Sequence, residues 1–163
     1  MKKFSKTVLL TFILVFTFVF TGCFSGPKTF SKAGMSITLT NRFTEKEYIS
    51  MTAYYESSDM LVTVLKEDFA SYPSVSTWSV SKYAQNVVQA NRLSGIDIQL
   101  SESGYAYFEY AKTVSGNEYS YFATCHKAQD AFWLIQFAVF TKDFEEKMDT
   151  IWQYANSITF EVV

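Results

Sequence analysis

The stretch GYAYFEYAKTVSGNEYSYFATCHKAQDAFWLIQFAVF, residues 104–140, carries three aromatic-rich runs separated by two breaks. The first break, Ser115-Gly116-Asn117, holds a Gly and an Asn that tolerate the positive φ of a tight turn. The runs on either side are long and rich in Tyr, which suits a pleated and half-buried surface, so they are expected to pair as an antiparallel hairpin. A second turn near Gln129-Asp130 leads into Phe132 to Phe140, which is nearly continuous in apolar residues. That is the pattern of a central strand covered on both faces. Three sequential antiparallel strands then make a meander.

Alternation extends outward from this core. GMSITLT, Gly34 to Thr40, sets Met35, Ile37 and Leu39 against Ser36, Thr38 and Thr40, the period of a half-buried strand. ISMTAYYES and MLVTVLKED, separated by Ser58-Asp59, read as a hairpin pair, and IDIQLSE, Ile96 to Glu102, alternates again. Two segments change period. Val80, Tyr83, Ala84, Val87 and Val88 fall at the spacing of one helix face, predicting a helix from about Ser79 to Arg92 with Ser79 as N-cap. Phe144, Met148, Ile151, Trp152, Ala155 and Ile158 do the same near the end. There Thr141 is the candidate N-cap, with Asp143, Glu145 and Glu146 placed to suit the helix dipole. A short TFEVV strand closes the chain. Two helices each burying one stripe, with a largely antiparallel sheet, give an α+β layered domain.

The order of these elements, from AGMSITLTNRF through the SVSKYAQNV helix, the GYAYFEYAKTV and EYSYFATC hairpin and AFWLIQFAVF to FEEKMDTIWQYANSITF, resembles the PsbP-like α/β/α sandwich. That superfamily includes the extrinsic photosystem II subunit, a Ran-binding nuclear import factor and many small bacterial lipoproteins. The resemblance implies the fold. It transfers no functional residue, because none of the named members' sites maps onto this chain, and Asn41-Arg42-Phe43 departs from the Pro that relatives often carry there.

The first residues have a different character. Lys2, Lys3 and Lys6 precede an uncharged stretch from Val8 to Phe20, interrupted only by Thr11 and Thr17. A spanning helix needs about 20 apolar residues, whereas a secretory signal needs about 7 to 15, so residues 1–22 are expected to be a cleaved export signal. Phe20-Thr21-Gly22-Cys23 resembles the bacterial lipobox, with Phe in place of the usual Leu. The resemblance implies that Cys23 receives a diacylglycerol and becomes the lipidated N-terminus on the extracytoplasmic face of a cell membrane. Two or more acyl chains give stable anchoring. Residues 23–29, with Gly26 and Pro27, then read as a tether and residues 30–163 as one PsbP-like domain.

Three of the 14 basic residues lie in the signal, while all 16 acidic ones lie beyond it. The exported part is therefore acidic, which argues against nucleic acid or an anionic membrane surface as its partner. With Cys23 lipidated, Cys125 has no cysteine to pair with and reads as a small buried hydrophobe. His126, the one histidine, reads as a surface or strand-end residue. As strand neighbours the two point to opposite faces, so they form neither a dyad nor a metal chelate. No phosphate loop and no Cys-x-x-Cys or His-based metal spacing is present. Glu102, Glu109 and Glu118 are the carboxylates that neighbouring strands could bring together. Catalytic, cofactor and metal residues are assigned as none.

What stands out is aromatic content, 18% of the chain with 11 Tyr. Buried Tyr hydroxyls each need a partner. Pairs such as Tyr54-Tyr55, Tyr105-Tyr107 and Tyr119-Tyr121 are thus expected to place at least one tyrosine on an outer sheet face or cleft rim. The leading expectation is a non-catalytic interaction or accessory module with an envelope protein partner. The alternative is a small-ligand or lipid binder using a cleft between sheet and helix.

Overall fold

The computed structural model describes residues 26–161; the segment read above as an export signal, Cys23 and the last two residues lie outside the described residues. In chain order the strands are β1 (Pro27–Lys32), β2 (Met35–Thr40), β3 (Thr44–Lys46), β4 (Ala53–Glu56) and β5 (Leu61–Asp68). Helix α1 (Val80–Ala90) follows, then β6 (Gln99–Leu100), β7 (Ala106–Val114), β8 (Asn117–Lys127), β9 (Ala131–Phe140), α2 (Phe144–Asn156) and β10 (Thr159–Phe160). Seven strands form one antiparallel sheet in the order β3-β4-β5-β9-β8-β7-β6, and β1-β2-β10 form a second. The architecture is the α+β class read from the sequence, and β7-β8-β9 is the expected meander.

β9 sits at the centre because it is apolar on both sides. Trp133, Ile135, Phe137 and Val139 point one way into a core shared with Met35, Ile37 and Leu39 of β2 and Ile151, Tyr154 and Ala155 of α2. Phe132 and Leu134 point the other way, into a smaller core with Tyr83, Ala84 and Val87 of α1. The layers are therefore α1, the seven-stranded sheet, and then α2 with the small sheet. Ser79 caps α1 as expected, its hydroxyl accepting from the Lys82 N–H at 3.2 Å. Ser157 fastens the other end of the fold: its Oγ donates to Tyr154 O at 2.7 Å and accepts the Thr38 N–H at 3.0 Å, tying α2 to β2.

Several boundaries differ from the sequence reading. β1 takes in residues 27–29, placed above in the tether, because they pair with Thr38 to Thr40 of β2. IDIQLSE contributes only the two residues of β6. Thr141 opens a short 3₁₀ turn rather than capping α2, and its hydroxyl instead meets Ser120 at 3.1 Å. In the β7–β8 turn the positive φ falls on Ser115 (51°) and Gly116 (82°), not on Asn117. A left-handed non-Gly residue there is costly.

Two stability outcomes follow. Ile135→Ala, in the doubly covered strand, is expected to cost about 2–5 kcal/mol. Ser115→Asn, which supplies the Asn-Gly that such a turn favours, is expected to stabilise by about 0.5–1 kcal/mol. Denaturant titration checks both.

Candidate functional site

The two faces of the large sheet are covered unequally. An 11-residue helix such as α1 is about 16 Å long at 1.5 Å per residue, whereas a ten-residue strand such as β9 spans about 33 Å. Helix α1 closes only the part of its face that carries Ala106, Phe108, Ala123, Cys125, Phe132 and Leu134. Further along, that face is open. The register sets Leu61, Ala138, Tyr121 and Tyr110 side by side across β5, β9, β8 and β7, with Phe140, Tyr119 and Lys112 in the next row. Tyr54 of β4 borders them, two residues from Glu56, which pairs with Leu61.

On this open face the aromatic rings lean on one another. Tyr110 and Tyr121 stack with centroids 4.6 Å apart and planes within 3°. Tyr119 stacks on Phe140 at 4.9 Å, and Tyr48, 54% exposed, lies 4.5 Å from Tyr54. Gln136 Nε2 donates to the Tyr110 hydroxyl at 2.8 Å, while the Thr63 hydroxyl donates to Gln136 Oε1. Rings held this way lose little rotamer freedom when something docks on them. Burial is the first cause that raises the phenol pKa of Tyr54 and Tyr121, and it pushes Tyr110 up to about 12. The surface is thus uncharged in its middle and offers hydroxyl donors and acceptors. Charge appears at its rim, with Glu56, Lys112 and Lys142, the last 5.9 Å from the Phe140 ring. Two clefts open to solvent flank the Tyr119–Phe140 stack. One, of about 620 Å³, lies between Gly116–Glu118 and Phe140–Lys142, and one of about 150 Å³ lies against Ser57–Leu61.

The sequence-predicted tyrosines sort themselves accordingly. Tyr54, Tyr119 and Tyr121 share the open face. Tyr55 is buried in the opposite core, as is Tyr105, and Tyr107 packs there against Phe122 and Trp152. Tyr110 and Phe140 complete the patch without having been singled out, although the two-residue turn at Ser115-Gly116 sets the register that brings Tyr110 opposite Tyr121. Glu109 and Glu118 pair with Phe122 and Thr113, four β7 positions apart, and Glu102 lies before β7. These carboxylates do not converge.

Cys125 is fully buried against α1, as expected, and burial first, then Glu67, pushes its thiol pKa up. His126 is on the other face, so the two remain separate. The reading of His126 as a surface residue is corrected: it is 8% exposed. Tyr105 covers its ring at 4.7 Å and Phe160 of β10 at 5.4 Å, and a ring nitrogen, Nε2, shares a hydrogen bond with Thr124 Oγ1 at 3.0 Å. Burial lowers its pKa from 6.5 to about 4. The unfolded chain therefore binds the extra proton between these values, and stability is lost as pH falls from about 6.5 to about 4. Up to about 3 kcal/mol is expected at roughly 1.4 kcal/mol per pH unit. Urea midpoints at pH 7 and 4.5 should show the loss, and His126→Gln should flatten it. Cys125 is expected to react with a soluble thiol reagent only on unfolding.

No family model matches the sequence, and no curated protein matches it either. Solved structures do match. The chain is similar to the cyanobacterial PsbP (CyanoP) of Synechocystis sp. PCC 6803, with a TM-score of 0.62 and 11% identity over 84% of this chain and 94% of that one. It is also similar to a Bacteroides thetaiotaomicron protein (TM-score 0.57, 11% identity, 85% of this chain and 49% of that one). The Saccharomyces cerevisiae Ran-binding protein Mog1p matches with a TM-score of 0.54 and 7% identity, over 83% of this chain and 96% of that one. The fold is PsbP-like.

Proposed function

We propose that this protein is a non-catalytic accessory module, anchored by lipid on Cys23 to the outer face of a cell membrane, that binds an envelope protein through its open tyrosine face. The observation that carries the reading is the part of the α1-side face of the large sheet that α1 leaves uncovered, where Tyr54, Tyr110, Tyr119, Tyr121 and Phe140 form an aromatic centre with a charged rim. Interfaces are enriched in aromatic residues at their core and polar at their edge, and a contiguous apolar patch on a small domain marks an interaction site. One protein of this fold, Mog1p, is by its name a Ran-binding protein, so the fold is compatible with work done by binding another protein. The cleft between sheet and helix that a ligand binder would use is filled on the α1 side, where Tyr83 stacks on Phe132 at 4.3 Å.

Anchoring and docking are tested separately. Cys23→Ser is expected to abolish incorporation of labelled fatty acid and release the protein from the membrane fraction. Chemical cross-linking in producing cells, read by mass spectrometry, is expected to recover one envelope protein. Tyr119→Ser combined with Tyr121→Ser should remove that product while costing about 1–3 kcal/mol of stability. Tyr72→Ser, at an exposed loop tyrosine away from the face, should leave it. Equal recovery by the double variant contradicts the reading, as does a lipid co-purifying in place of a protein.

A further inference from the structure

Strand β7 ends the large sheet for most of its length. Its outer neighbour β6 pairs only with Ala106 and Tyr107. The Ser101 N–H donates to Tyr105 O at 2.9 Å across that edge. In an antiparallel ladder the outward-turned backbone groups alternate, so Glu109, Ala111 and Thr113 turn their N–H and C=O groups to the outside, where no strand among the described residues receives them. A bare edge of this length is a template for strand addition, and the residues along it are exposed apart from half-buried Tyr110.

We infer that the occupant of this edge is a second copy of the same strand, paired antiparallel about Ala111. The register follows from the free groups. Centring the two-fold axis on Ala111 sets Ala111 opposite Ala111 and Glu109 opposite Thr113 on both sides, and every free N–H and C=O of the three residues finds a partner. Moving the axis one residue to Tyr110 leaves Thr113 opposite Tyr107, which Gln99 already pairs, and moving it to Lys112 leaves Glu109 without a strand partner and opposes Lys112 to Lys112, which is unfavourable. In the chosen register Tyr110 faces Lys112, a cation over an aromatic ring. Val114, 42% exposed, meets Phe108 at the margin of the core under α1. The side chains opposite one another lie on the same face, so the open tyrosine faces of the two copies become one continuous surface. The interface is small by the standard of stable dimers, so the pairing is a concentration-dependent equilibrium that tethering to one surface would favour. The inference stands without the docking role of the tyrosines.

Directly opposed hydrogen-bonded residues have Cα atoms about 5.5 Å apart, within disulfide range. Single cysteines therefore read the register in the purified full-length chain under mild oxidation. Ala111→Cys is expected to give a covalent dimer of twice the monomer mass. Glu109→Cys or Thr113→Cys alone should give none above the parent sequence, while a mixture of the two should. Cys125 is buried and stays silent, and the parent controls for Cys23. Absence of an Ala111→Cys dimer overturns the pairing, as do equal yields from all three single variants. A mixed disulfide to a different protein in the cell, with no dimer, assigns the edge to another chain and also overturns it.

Discussion

One strand sets the terms for the rest. β9 is apolar on both sides and must be buried on both, yet the elements available to cover it differ in reach. On one side α2 and the three-stranded sheet extend over the whole of it, and Trp133, Ile135, Phe137 and Val139 are all sealed. On the other, the 11 residues of α1 reach Phe132 and Leu134 only. The mismatch between helix rise and strand rise thus leaves the continuation of this face to be made tolerable to water in some other way.

Tyrosine is the means. A phenyl ring such as that of Tyr121, opposite Ala138 on the next strand, covers the sheet as an apolar residue would, and its hydroxyl can meet solvent at the top of the same side chain. Stacking of Tyr110 on Tyr121 and of Tyr119 on Phe140 fixes the rings, and Gln136 links Tyr110 to Thr63 through the middle of the sheet. The result is ordered, neutral and only half wet. It is the same chemistry that makes a surface ready to bind protein at small entropic cost. Packing and the proposed docking role are in this sense two descriptions of one solution.

Much of this was legible in the residues. The period-two runs, the helix stripes and the apolar continuity of Phe132 to Phe140 located the meander, both helices and the central strand. The neighbouring placement of Tyr119 and Tyr121 on one face with Cys125 followed from alternation alone. What escaped was whatever depended on distant parts of the chain. β1 hides because only Phe30 of its six residues is buried, so it has no alternation to read; it is held by pairing with β2. His126 sits beside Lys127 at a strand end and looks exposed, but Tyr105 and Phe160 arrive from elsewhere to cover it. The openness of the tyrosine face depends on the length of α1 relative to the sheet, which no local window contains.

Tyrosine-resolved hydroxyl-radical footprinting, on the purified protein and on intact producing cells, tests the central claim most directly. Tyr54, Tyr119 and Tyr121 are expected to be modified in the isolated protein and protected in cells, with Tyr55 and Tyr83 silent in both. Equal modification of the open-face tyrosines in the two settings would mean that nothing docks there, and the account would fail.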